Sequence, residues 1–74
     1  MDELSIRYVL ALGDDADRVE IATGTAVIER LPDVVLVEAD ESVARELAAD
    51  GEYVHVYASP HDALLALSLF RESA

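Results

Sequence analysis

Apolar positions along this chain fall into two kinds of block, unbroken short runs and helical stripes. Ile6 to Leu12 (IRYVLAL) is β-rich and nearly all apolar, which predicts a central strand covered on both faces. Gly13-Asp14-Asp15 then turns the chain, and Asp14 or Asp15 can cap a helix beginning near Ala16. Ala16, Val19 and Ala22 mark the apolar side of that helix, with Arg18 and Glu20 outward. Val34 to Val37 is a second two-faced run, announced by the turn signal Pro32-Asp33. Asp40 stands where an N-cap belongs, its carboxylate placed to accept from first-turn amides. In the helix it opens, Val43, Ala44, Leu47 and Ala48 form one stripe, while Glu41 and Arg45 pair on the wet side. Gly51 suits the left-handed position that closes such a helix. From Tyr53 to Tyr57 the chain alternates, Val54 and Val56 on one face, Tyr53, His55 and Tyr57 on the other.

Gly24 leaves two architectures open. If the first helix stops there, Thr25 to Leu31 is a strand hairpinned to Val34–Ala39. The succession is then β-α-β-β-α-β, the split βαβ of an α+β ferredoxin-like fold. If the helix runs from Ala16 to Leu31 with a glycine inside, at about 1 kcal/mol relative to alanine, the succession is β-α-β-α-β-α, a small α/β parallel sheet. The split arrangement is preferred, although the apolar residues of AVIER do not alternate.

Beyond the last strand, Ser59-Pro60-His61-Asp62 opens a final helix: Ser59 as N-cap, Pro60 at the first helical position, Asp62 as in a capping box. Its body carries Leu64, Leu65, Leu67, Leu69 and Phe70, so it is apolar nearly all round and needs cover on more than one side. It is expected to cover the sheet face that a ferredoxin-like sheet leaves open, or to dock on a second copy of the chain. A single domain over 1–74 follows, with a loose end at 1–5, a body over 6–57 and a C-terminal helix over 59–72.

Composition narrows the function classes. A chain of 74 residues buries only about 60–65% of its unfolded surface, so help from a partner is plausible. Without cysteine there is neither a disulfide framework nor a thiolate metal site. Apolar runs fall far short of the about 20 residues that span a bilayer, and the acidic N-terminus is no signal peptide, so the default compartment is the cytoplasm, a removed leader leaving no trace. Sixteen acids against five bases give a net charge of −11, and every base is arginine. Such a surface repels nucleic acid phosphates and anionic membranes. A high-salt cytoplasm or a GC-rich genome explains lysine-poor acidity most simply. A functional acidic face, meeting a basic partner or mimicking DNA, is the alternative. The acids are spread along the chain rather than massed in a tail, which favours a solvated surface.

RYVLAL at 7–12 together with GTAVIERLPDVVLVEADESVARELAADGEYVHVY at 24–57 resembles the subtilisin-propeptide family, the propeptide-like peptidase inhibitors. The shared features are an opening strand, a G-x-V strand into a turn, a strand ending in an acidic cap, a helix ending in Ala-Asp and a final strand with Tyr-Val. The resemblance implies a ferredoxin-like domain that inhibits and helps fold subtilisin-like serine proteases. It also implies a sheet packed on two protease helices, acids after the last strand that cap them, and an extended tail in the substrate cleft. Here those positions read His55, Val56 and Tyr57, and the tail leads into a helix. Both departures fall on the inhibiting residues.

No catalytic signature emerges. His55 and His61 lack the spacing of metal ligands. None of Ser5, Ser42, Ser59, Ser68 and Ser73 sits in a nucleophile elbow. Gly13 and Gly24 lie outside any phosphate-cradling pattern. Asp14, Asp15 and Asp17 lack the loop of a calcium site and read as helix capping. The chain is therefore expected to be no enzyme, with no cofactor, no metal and no nucleic acid or membrane partner. The expected role is protein–protein interaction, most concretely propeptide-like inhibition, with an acidic binding or oligomerisation module as alternative. Self-association is expected through the C-terminal helix. The candidate partner-binding residues are Tyr53, His55, Tyr57, Ser59, Pro60, His61, Leu65, Leu69 and Phe70.

Overall fold

The computed structural model describes residues 6–23 and 26–73, with side chains as far as Arg71. The elements run β1 (Ile6–Leu12), α1 (Asp14–Thr23), β2 (Val27–Leu31), β3 (Val34–Asp40), α2 (Glu41–Asp50), β4 (Val54–Tyr57) and α3 (Pro60–Ser73). The four strands form one sheet in the order β2-β3-β1-β4, and every neighbouring pair is antiparallel. The fold is α+β. The parallel-sheet alternative is overturned, because residues 27–31 lie antiparallel against β3 instead of continuing α1. The expected loose end at 1–5, and Gly24 and Thr25, lie outside the described residues.

Each apolar block earns its place by filling a layer. Val34 to Val37 and Val9 to Ala11 are buried because β3 and β1 are the two inner strands, covered on both faces. On one face Val9, Ala11, Val35 and Val37 meet Ala16 and Val19 of α1 and Ala44 and Leu47 of α2. On the other, Leu10, Val34 and Leu36 meet Ala63 and Leu67 of α3. The C-terminal helix therefore covers the second sheet face. The failure of AVIER to alternate has a physical cause: the β2–β3 register slips between Val27 and Glu29, which turns Ile28 outward at 45% exposure.

Several local expectations need correction. Gly13 has the positive φ of 62°, as a tight turn out of a strand requires, and its amide donates to the carbonyl of Asp33 at 2.8 Å. Gly51 is extended (φ −128°), not left-handed. It is small for a steric reason: a Cβ there would come within 2.5 Å of Arg18 Nη2 and 2.6 Å of Val54 Cγ2. Asp40 precedes α2 but makes no side-chain capping bond. Asp15, the candidate cap of α1, instead accepts from the amide of Tyr53 at 3.0 Å. Arg18, placed outward by the pattern, reaches across to the carbonyl of Leu47 at 3.2 Å, joining α1 to the end of α2. Val43 and Ala22 are exposed, so both apolar stripes are narrower than the sequence suggests.

Candidate interaction surface

The region is built from β4 and α3. Ser59 starts α3 as its sequence requires: Oγ accepts from the amide of His61 at 3.2 Å, and its carbonyl accepts from the amide of Ala63 at 3.1 Å. Pro60 occupies the first helical position, where a missing N–H costs nothing. Ala63 and Leu67, four apart, are buried against Leu10, Val34 and Leu36, with Tyr8, Leu12, Leu31, Tyr57 and Ala66 packed alongside. Ala63, 0% exposed, lets the helix approach the sheet closely at that turn. Near the far end, Arg71 pairs with Glu29 of β2, so the helix is tied to an edge strand as well.

The opposite side of the same helix stays in solvent. Leu64 is 50% exposed, Leu65 54% and Leu69 67%. Asp62, Leu65 and Leu69 follow at i, i+3, i+7 and therefore share one stripe. Of the sequence candidates, the structure brings Leu65 and Leu69 together here, with Ser59, Pro60 and His61 at the starting end of the helix; Phe70 follows Ala63 and Leu67 at i+7 and i+3 and stands on their side of it. Tyr57 packs beneath α3, while His55 is exposed on the same sheet face. Tyr53 precedes β4, its backbone held by Asp15 and, through its carbonyl, by the amide of Leu12. Leu64 was missed. The signal for it was the small size of Ala63 and Ala66, which marks the inner side and leaves Leu64 and Leu65 turned away.

Electrostatics set the character of this surface. All five arginines are taken up by carboxylates of the chain: Arg7 and Arg45 by Glu41, Arg18 by Asp15, Arg30 by Asp17 and Glu20, Arg71 by Glu29. No described cation lies within ion-pairing distance of Glu38, Asp40 or Asp62. Glu38 pairs with Tyr8 across the β1–β3 ladder, so it lies on the sheet face that α3 partly covers.

At the other end of the molecule, Gly13, Asp14, Asp15, Asp50, Glu52 and Tyr53 line an open depression of about 500 Å³. Asp15 and Asp17 diverge, one toward Arg18 and Tyr53, the other toward Arg30 at 2.8 Å. Among the described residues no group of three histidine or carboxylate side chains is placed to hold a metal. No helix among them is long and apolar enough to cross a membrane. No family model matches the chain, and no curated protein or solved structure matches it either.

Proposed function

We propose that the chain is a ferredoxin-like split βαβ domain whose added C-terminal helix makes it a protein-interaction module without chemistry of its own. The fold reading is supported by the interleaving of two units. β1 and β2 both run antiparallel to β3, which separates them, and β3 and β4 both run antiparallel to β1. The functional reading is carried by one observation: a helix fixed on its inner side by Ala63 and Leu67 presents Leu65 and Leu69 to solvent on its outer side. A surface leucine alone means little, but several on one rigid helix make a docking face.

The propeptide-like version requires residues 58–74 to leave the body and lie extended in a protease cleft. Leaving uncovers Leu10, Leu36 and Leu67, each costing about 1.5–3 kcal/mol to return to water. A cleft would have to repay that before any net binding. The test is hydrolysis of a chromogenic peptide by a subtilisin-like protease in the presence of the chain. Undiminished activity at micromolar chain is the expected result. Nanomolar inhibition that disappears when residues 58–74 are removed would overturn the module reading in favour of the inhibitor.

A further inference from the structure

We infer that the outer face of α3 receives a cationic amphipathic helix of a partner protein rather than a second copy of this chain. The inference rests on the module reading above and names its partner. Exposed leucines and charge carry it. Leu64, Leu65 and Leu69, each half exposed or more, present about 300 Å² of apolar side chain, against the about 800 Å² per partner of a standard stable interface. That area is small for either occupant, so the choice between them falls to charge. A second copy brings together two bodies of net charge −11, at closest approach along the one stripe where each carries Asp62 with no described cation in pairing distance.

A single cationic partner helix meets no such repulsion. Its own leucine stripe matches the width of Leu65–Leu69, the geometry by which an amphipathic helix is held on an apolar surface. Lysines or arginines flanking that stripe would face the carboxylates that the chain leaves without a cation. Asp62 stands in line with Leu65 and Leu69, and the body behind it carries a net charge of −11. Because the chain's five arginines are already engaged internally, none is left over to repel such a partner. Apolar contact supplies affinity, and the carboxylates choose the sign of the partner.

The two occupants have opposite salt dependences. Screening weakens attraction between the acidic face and a cationic helix, and it relieves repulsion between two acidic copies. The test uses the whole chain and two labelled synthetic helical peptides with the same leucine stripe, one flanked by lysines, the other by glutamates. Binding is read by fluorescence anisotropy at about 50 and about 500 mM NaCl, and the chain alone is followed by sedimentation under the same conditions. The lysine peptide is expected to bind, at least about tenfold more weakly at high salt, and the glutamate peptide to stay free. The charge-neutral double variant Leu65→Ser with Leu69→Ser, at exposed positions that leave the core intact, is expected to lose about tenfold or more in affinity. Asp62→Asn is expected to reduce the salt dependence.

Equal binding of the lysine peptide to the serine variant would overturn the inference, since attraction to net charge alone would then account for it. A dimer that tightens with salt and is lost in the serine variant would overturn the choice of partner while leaving α3 an interaction face. Neither peptide binding nor self-association would overturn the module reading as well.

Discussion

Truncating Leu67 to alanine is the most informative change to the seat of α3. The side chain is 1% exposed and lies among Leu10, Val34, Leu36 and Ala63. Removing its three outer carbons forfeits about 2.4 kcal/mol of transfer free energy at about 0.8 kcal/mol per carbon. A cavity term adds to this, because the facing residues sit on β1 and β3, whose ladder holds them, and Ala63 is too short to fill the gap. A total of about 3–4 kcal/mol is expected, inside the range of about 2–5 for buried leucines. For a chain of 74 residues whose whole stability is about 4–11 kcal/mol, that is a large share. With a urea slope of about 1 kcal/mol per molar, the unfolding midpoint should fall by about 3 M. Leu65→Ala, on the exposed side of the same helix, should move it by less than about 0.5 M. Equal shifts for the two variants would refute the two-sided account of α3.

Four further outcomes follow from the geometry. Gly51→Ala should destabilise by about 1–3 kcal/mol through collision with Arg18 and Val54, not through backbone strain, and pairing it with Arg18→Ala should recover part of the loss in a double-mutant cycle. Arg18→Ala alone should cost about 1 kcal/mol, since it removes the bond to the Leu47 carbonyl at the end of α2, whereas Arg45→Ala, an exposed pair within one helix, should change the urea midpoint by less than about 0.5 M. Ser59→Ala should cost about 1 kcal/mol, read as a loss of thermal stability, because the first turn of α3 loses its side-chain acceptor. Raising NaCl from about 20 to about 500 mM should raise the melting temperature of the wild type by screening its net charge of −11; a melting temperature that falls would contradict the view of the surface as self-repelling.

The sequence was most readable where burial leaves no choice. Unbroken apolar runs at Val9–Ala11 and Val34–Val37 announce strands covered twice, and they became the two inner strands. It was least readable where a long-range contact replaces a local rule. Asp15 and Asp40 look like helix caps by type and position. Asp15 was claimed instead by an amide 38 residues away, and Asp40, although at the N-cap position, makes no side-chain capping bond. Gly51 reads as a left-handed terminator, but its size matters because Arg18 crosses over from α1, a contact no local pattern encodes. The register shift at Ile28, by breaking the alternation of β2, is what left a helical reading of that segment open beside the preferred strand. In α3, a nearly continuous apolar composition hid two distinct sides. The small residues Ala63 and Ala66 mark the inner one, and the packed sheet adds Leu64 to the candidates Leu65 and Leu69 left outside.

Hydrogen exchange along α3 tests the account most directly, because both the seat and the outer face depend on this helix staying packed. Amides from Leu64 to Leu69 are predicted to exchange slowly, within about tenfold of those in β1, since the burial of Ala63 and Leu67 couples their opening to loss of the sheet face. Exchange of those amides at the rate of an unstructured peptide, with β1 still protected, would contradict it. The segment would then be a detachable tail, as the inhibitor reading requires.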